Sequence, residues 1–297
     1  MKRICKRPVI IDKLKVCCEA NNQEIINQLK TPKINDFYDL GKYRLFRNDA
    51  KDSKYKYVYV IMVNEAEKRY KFGTLQFGLY GMDKRRNTFP NGCLKIWFIV
   101  ENRQLYTPDF LDRLIDVINT FESVMHNITH LELCLDTPFD AGRKVKRFMR
   151  DKDTTTIING KVWRDRKKEI PGQKRILDIS LDKDLNPSFY ARQTKALKHK
   201  AKGAILCCYD KYVEIQKKSN KGYILDYYNT PKKLYRTEIR LHNDQVQGYM
   251  TDKGITSVMD VFRKEVKEDL FFTYLNRIIR FRRDGAIIKW QEILGKK

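Results

Sequence analysis

One short stretch, GAILCCYDKYVEIQ at residues 203–216, places reactive side chains directly after an apolar run. The run predicts a buried strand, and Tyr209, Asp210, Lys211 and Glu214 follow it closely. If the strand continues, Tyr209 and Lys211 share a face, because side chains alternate along a strand. An ammonium beside a phenol favours the phenolate and also pairs with a phosphate. The stretch predicts a tyrosine nucleophile for phosphodiesters, with an ordinary amphipathic strand end as the alternative.

Two other predicted strands carry acids on their polar faces. Glu132 and Asp136 share a face of ITHLELCLD, residues 128–136, and Glu238 lies on the charged face of LYRTEIRL, residues 234–241. Adjacent carboxylates repel one another, so a group of them requires a cation, and carboxylates alone suit Mg²⁺ or Mn²⁺. Together with Glu214, these acids are candidate ligands for an ion that polarises a phosphate for attack by Tyr209. In the alternative interpretation, each acid forms an unrelated ion pair.

The composition indicates a globular protein with a polyanionic partner. Hydrophobic residues make up 42% of the 297 residues, and 61 Lys and Arg against 37 Asp and Glu give a formal charge of +24. Such an excess repels itself and is typical of nucleic-acid-binding proteins. The basic residues are spread along the chain, which favours a folded basic surface over a floppy basic arm.

Several absences in the sequence favour a cytoplasmic protein that does not bind membranes. No apolar run approaches the length of a membrane span, and charges interrupt the apolar part of the N-terminal segment, so it is a poor signal peptide. The seven cysteines form no C-x-x-C pair and no zinc-like pattern with histidine, which fits a reducing compartment. Sequences typical of nucleotide-binding loops and serine hydrolases are also absent.

Hydrophobic periodicity predicts an α+β fold, with a central antiparallel sheet and packed helices. Strands are expected over residues 55–63, 70–80 and 93–100, which form a meander, and over 128–136, 204–208 and 234–241. Helices are expected over residues 22–29, 107–125 and 141–150 and in most of the tail. We divide the chain into residues 1–125 (meander and helix, part of the catalytic fold), 126–242 (catalytic strands) and 243–297 (C-terminal helical segment).

Three blocks of the sequence resemble a known family. NITHLELCLD, AILCCYDKYVEIQ and LYRTEIRL are similar in order and rough spacing to strands of rolling-circle replication initiators of the filamentous-phage gene II type. The related Rep_trans plasmid initiators and MobT-type relaxases share these strands. The resemblance covers about residues 127–241. It implies an HUH-endonuclease-like core, here without the histidine pair that gives those enzymes their name.

The resemblance also implies roles for individual residues. Tyr209 would form a 5′-phosphotyrosyl bond and free a 3′-hydroxyl, while Lys211 pairs with the phosphate or the phenolate. Glu132, which replaces the family's aspartate, would hold the metal with Glu238, and Glu214 or Asp136 would complete the site. His130 replaces the family's usual arginine. Tyr190, in PSFYARQ, is the rival nucleophile, because its context faintly resembles a Y-x-G strand of some plasmid initiators.

The resemblance implies a site-specific endonuclease and strand transferase for single-stranded DNA that starts rolling-circle replication or conjugative transfer. Its expected partners are single-stranded or supercoiled origin DNA and a host helicase, and its expected cofactor is Mg²⁺ or Mn²⁺. The alternative is a non-catalytic basic protein that binds DNA or RNA. The basic side chains predicted to contact DNA are Arg143, Lys144, Lys146, Arg147, Lys195, Lys198, Lys200, Lys202, Arg236 and Arg240.

Overall fold

The chain folds into two compact units of α+β structure. The computed structural model describes residues 7–49, 53–65, 68–80, 87–163, 177–178, 189–192 and 203–296. The smaller unit comprises residues 12–131, and the larger unit comprises residues 1–11 and 132–297. The described residues include eight α-helices and a large antiparallel sheet, which confirms the predicted α+β class with an antiparallel sheet. The predicted boundaries at residues 125 and 242 do not coincide with those of the units.

The smaller unit is built on a long antiparallel sheet and two helices. Its helices are α1 (Gln23–Gln28) and α2 (Phe110–Thr120). Its strands are β1 (Ile10–Ala20), β2 (Phe37–Leu40), β3 (Tyr43–Arg47), β4 (Tyr55–Glu65), β5 (Lys68–Leu79), β6 (Leu94–Val100) and β7 (Ser123–Thr137). They follow the order β7-β1-β6-β5-β4-β3-β2, so β4, β5 and β6 form the predicted meander. The first two residues of β1 and the last six of β7 belong to the larger unit.

One face of this sheet forms the core of the smaller unit beneath the two helices. Phe98 of β6 packs against Phe121, which ends α2, with ring centroids 5.3 Å apart. The hydroxyl of Tyr59 in β4 donates to the carbonyl of Leu29, which ends α1. Alternation along each strand buries every second side chain on this face and leaves the intervening ones on the other face.

The larger unit contains two groups of strands and the remaining helices. Its further strands are β8 (Thr154–Ile158), β9 (Lys161–Val162), β10 (Leu177–Asp178), β11 (Phe189–Arg192), β12 (Ile205–Asp210), β13 (Tyr235–His242), β14 (Ile279–Arg283) and β15 (Ala286–Ile288). One group has the order β10-β11-β12-β13-β7 and the other has the order β15-β14-β8-β9. The helices are α3 (Ala141–Arg150), α4 (Lys211–Lys217), α5 (Gly222–Tyr227), α6 (Asn243–Asp252), α7 (Lys264–Ile278) and α8 (Trp290–Leu294).

The structure corrects the sequence analysis at two places. The strand of the tyrosine stretch does not continue past Asp210, because that side chain accepts a hydrogen bond from the Val213 amide at 3.0 Å and caps α4. The first fifty residues, in which the sequence predicts only the helix over residues 22–29, also contain β1, β2 and β3. The tail is mostly helical, as predicted, and also includes β14 and β15. In the described ranges, no helix has the length and apolar character needed to cross a membrane.

The close packing of β5 against β6 at Gly73 can be tested by substitution. A Cβ at this position would lie 2.2 Å from the carbonyl oxygen of Ile99, so the backbone would have to shift. We expect Gly73→Ala to lower the free energy of unfolding by about 3 kcal/mol, the upper end of the usual cost of overpacking. Gly248→Ala in α6, where nothing lies within 4 Å, is the matched control and should raise it by up to about 1 kcal/mol. Urea denaturation measures both, and equal midpoints would contradict the prediction.

Candidate active site

Strands β12 and β13 bring the predicted tyrosine and one predicted acid to the same face of the larger unit's sheet. In their antiparallel register, Tyr209 lies opposite Arg236 and Cys207 lies opposite Glu238. Directly opposed residues of neighbouring strands share a face, so these side chains belong to one surface. The predicted charged face of LYRTEIRL is therefore confirmed by the contacts that follow.

Glu238 accepts hydrogen bonds from two different groups. The Tyr209 hydroxyl donates to its Oε2 at 2.9 Å, and the Arg240 Nε donates to its Oε1 at 2.8 Å. Glu238 is almost completely buried, with 1% of its surface exposed. The phenol that the sequence proposes as nucleophile thus already points its proton at a carboxylate.

Arg240 lies between two carboxylates. Besides its bond to Glu238, its Nε is 3.8 Å from Oε1 of Glu132, and the two acids offer oxygens within 4.8 Å of each other. Burial opposes the charged form of Arg240, but the neighbouring acidic groups Cys207, Glu238 and Glu132 outweigh it and raise its pKa above the ordinary value. The guanidinium is therefore a permanent cation that offsets the repulsion between the two carboxylates.

The same carboxylates fit a hard divalent cation. Within the larger unit, Glu132 and Glu238 are buried carboxylates that could share a metal ion. Oxygen ligands of this kind suit Mg²⁺ or Mn²⁺, and an ion between Glu132 and Glu238 would compete with Arg240 for them. In the smaller unit, Asp12 of β1 is a buried acid that the sequence analysis did not single out, and it accepts a hydrogen bond from the Tyr106 hydroxyl at 2.6 Å.

Lys211 approaches Tyr209 from the start of α4 rather than along a strand. Its Nζ is 5.7 Å from the centroid of the Tyr209 ring and 2.8 Å from Oε2 of Glu214. The lysine side chain is buried, with 2% exposed. Glu214 therefore lies on a helix as the partner of Lys211, so the structure gives it a charge-balancing contact where the sequence proposed a metal ligand.

Asp136 and Arg236 form a buried ion pair with two hydrogen bonds. The Arg236 Nε donates to Oδ1 at 2.8 Å and its Nη2 donates to Oδ2 at 2.7 Å. Both side chains are fully buried. The predicted contact of Arg236 with DNA is therefore wrong, because its guanidinium is inside the fold. Asp136, a predicted metal ligand, directs both oxygens to Arg236.

The other predicted DNA contacts have different surroundings. On α3, Arg143 and Arg147 are exposed, whereas Lys144 donates to the Ile293 carbonyl at 2.9 Å and Lys146 is half-buried. Burial lowers the pKa of Lys146. The basic residues Lys195, Lys198, Lys200 and Lys202 lie outside the described residues.

Tyr190, the rival nucleophile, is placed by its backbone alone. In β11 it pairs with Cys207 of β12, and Cys207 pairs in turn with Glu238 of β13. These three positions form one row across three strands. The rival therefore has a backbone position next to the candidate site, and an experiment on the chemistry has to distinguish it from Tyr209.

The buried ion pair yields a stability prediction. Arg236→Met should lower the free energy of unfolding by about 3–5 kcal/mol, because it leaves the carboxylate of Asp136 buried without its guanidinium. The double variant Arg236→Met with Asp136→Leu should recover most of the loss, since both buried charges are then removed. Arg44→Met, which breaks an ion pair with Asp39 at the surface, is the control and should change little. Chemical denaturation tests this, and a single variant as stable as the control would contradict it.

Comparisons with known proteins do not assign the chain to a family. No protein-family model, curated protein or solved structure matches it. The relation to rolling-circle initiators and relaxases therefore stays a prediction, and a function has to be argued from the geometry of the site.

Proposed function

We propose that the protein is a metal-dependent nickase and strand transferase of single-stranded DNA, with Tyr209 as its nucleophile. The hydrogen bond of 2.9 Å from the Tyr209 hydroxyl to Glu238 carries this proposal. It joins a nucleophile to a proton acceptor beside a second carboxylate, Glu132, and a guanidinium, Arg240. The formal charge of +24 supports a polyanionic substrate.

The proposed reaction is a transesterification at phosphorus. The Tyr209 oxygen attacks the scissile phosphate, its proton passes to Oε2 of Glu238, and the P–O3′ bond breaks. The products are a 5′-phosphotyrosyl bond and a free 3′-end, whose oxygen takes up a proton to become a hydroxyl. Because the energy of the phosphodiester is kept in the phosphotyrosine, the reverse attack rejoins a strand without ATP.

The charged residues of the site have complementary roles in this proposal. Glu132 and Glu238 would hold Mg²⁺ or Mn²⁺, and such a cation polarises the phosphate when bound. Arg240, with 38% of its side chain exposed, can exchange a carboxylate for a phosphate oxygen. Lys211 stays near the Tyr209 ring with its charge offset by Glu214.

The proposal extends to the biological setting that the sequence suggests. The strands that carry Tyr209 and the carboxylates would form an HUH-endonuclease-like core without the histidine pair. Origin DNA would be the substrate, in the cytoplasm, with a host helicase as a partner. Initiation of replication and conjugative transfer use the same chemistry at this site.

The first prediction from the proposed function concerns the covalent intermediate. Single strands from the DNA flanking the gene, incubated with Mg²⁺ or Mn²⁺, should give a protein–DNA adduct on Tyr209, detected by denaturing gel and peptide mass spectrometry. Tyr209→Phe should bind the same DNA with unchanged affinity and form no adduct, whereas Tyr227→Phe, at an exposed tyrosine, should behave as the wild type.

Other outcomes of this experiment have definite meanings. An adduct on Tyr190 would keep the function and move the nucleophile to β11. Tight, salt-sensitive binding without an adduct on any flanking strand, under either metal, would favour the non-catalytic nucleic-acid-binding protein.

The second prediction concerns the carboxylates. Glu238→Gln should lower the nicking rate at least 100-fold, because it removes both the proton acceptor of Tyr209 and a metal ligand. Glu132→Gln should raise the metal concentration needed for half-maximal nicking. Glu265→Gln, an exposed acid of α7, is the control with the same change in charge. Nicking by the Glu238 variant at the rate of the control would contradict the mechanism.

The third prediction concerns the guanidinium between the carboxylates. Arg240→Met should bind Mn²⁺ at least tenfold more tightly in the absence of DNA, because a guanidinium 2.8 Å from Oε1 of Glu238 and 3.8 Å from Oε1 of Glu132 no longer competes for these oxygens. Isothermal titration calorimetry measures this, with Arg143→Met on the exposed side of α3 as the control. Equal Mn²⁺ affinity of both variants would show that Arg240 does not occupy the cation position.

A further inference from the structure

Four lysines surround a group of aromatic rings on one face of the smaller unit's sheet. We define the lysine patch as Lys13, Lys15, Lys54 and Lys95. The Lys15 Nζ donates to the Tyr55 hydroxyl at 3.1 Å and to Oε1 of Gln76 at 2.9 Å. It also lies 4.5 Å from the centroid of the Tyr55 ring, and the Lys54 Nζ lies 5.4 Å from the same ring.

The fourth lysine contacts a neighbouring ring of the same cluster. The Lys95 Nζ is 5.0 Å from the centroid of the Phe89 ring. Phe89, Tyr55 and Trp97 belong to one buried cluster, so the rings hold the side chains of Lys15, Lys54 and Lys95 in place. The cations are positioned before any ligand arrives, which lowers the entropy that binding would cost.

The patch concentrates positive charge in a partly desolvated place. The pKa of Lys15 is lowered to about 8, first by burial and then by the charge of Lys54, with Lys13 acting in the same direction. The nearest acid in register is Glu19, opposite Lys95, and it accepts a hydrogen bond from Asn91. A phosphate against the patch would reduce the repulsion among the lysines.

The same face carries two exposed phenylalanines. Phe37 and Phe46 are 53% and 38% exposed, and their ring centroids are 6.2 Å apart. Phe46 lies opposite Val60, which shares a face with Val58, a member of the cluster beneath the lysine patch. The guanidinium of Arg44 lies 4.4 Å above the Phe37 ring. An exposed ring with a cation beside it is a stacking platform for an unpaired base.

We propose that this face of the smaller unit binds single-stranded DNA, with phosphates on the lysine patch and unpaired bases on Phe37 and Phe46. Three strand spacings separate β6 from β3, about 14 Å, which several nucleotides of an extended strand span. A duplex offers phosphates but keeps its bases stacked inside, so the exposed rings select the single strand. The choice of DNA rests on the proposed nicking function, but the binding surface does not require that chemistry.

The test measures the binding of fluorescein-labelled oligo-dT by anisotropy in EDTA, so nicking plays no part. Lys13→Glu with Lys54→Glu should lower affinity at least tenfold and make the dependence of log affinity on log salt less steep by about 1.4, at about 0.7 per phosphate contact. Lys30→Glu with Lys33→Glu, exposed lysines near α1, is the control with the same change in charge. Equal effects of the two double variants would overturn the proposal.

A second pair of variants tests the choice of a single strand. Phe37→Ala with Phe46→Ala should weaken oligo-dT binding about tenfold and leave duplex binding unchanged. Val162→Ala with Ile287→Ala, which removes exposed apolar side chains of the larger unit, should change neither. An equal loss for both forms of DNA, or no loss at all, would overturn the stacking on these rings. Normal binding by the patch variants together with normal nicking would reject this surface and keep the proposed function.

Discussion

The candidate site depends on how the larger unit offsets its buried negative charge. A carboxylate taken out of water is strongly destabilising unless a cation or several hydrogen bonds accompany it. Strand β13 supplies both positive and negative charge from one face, because Arg236, Glu238 and Arg240 alternate with uncharged residues. Each acid on this face therefore has a guanidinium within reach, and the fold can bury carboxylates before any metal is bound.

The two arginines of β13 differ in whether they can exchange a carboxylate partner for a ligand. Arg236 is enclosed with Asp136 and binds both of its oxygens, so that pair fixes β13 against β7. Arg240 contacts two carboxylates and keeps 38% of its side chain exposed. A partly exposed guanidinium can change partners at low cost, whereas a buried bidentate one cannot. Arg236 is therefore structural, whereas Arg240 is suited to a site that admits a ligand.

The fold was predictable from sequence where one local pattern determines an element. Residues 141–150 form the expected helix, and the alternating charges of LYRTEIRL place Glu238 and Arg240 on one face. The break after Asp210 was not predicted, because the same residues read as an amphipathic strand until the aspartate is recognised as a helix cap. Strand β1 was missed because Lys13 and Lys15 interrupt its apolar residues and hide the alternation, in which they share one face while Asp12 is buried on the other.

The candidate site was only half predictable, because its contacts join distant parts of the chain. The sequence alone suggested which acids could lie close together, but not which arginine or lysine would form an ion pair with each acid. Asp136 and Arg236 are 100 residues apart, and only the pairing of strands decides that Asp136 receives Arg236 while Glu132 and Glu238 share Arg240. Local helix geometry separately paired Glu214 with Lys211. Once these pairs are known, the set of candidate ligands narrows from four acids to two.

That pairing also indicates what a divalent cation would contribute to the proposed phosphate chemistry. Asp136 with Arg236, and Glu214 with Lys211, are neutral pairs, so within the larger unit the charge at the candidate ion position comes from Glu132, Glu238 and Arg240. These two carboxylates and one guanidinium sum to one negative charge, which repels a phosphodiester, and a divalent ion would oppose that repulsion. In the proposed reaction, the proton that passes from Tyr209 to Glu238 would neutralise this carboxylate as the phosphate is attacked. Metal, substrate and proton transfer would then be coupled through the same few charges, in a site whose other ion pairs are already neutral.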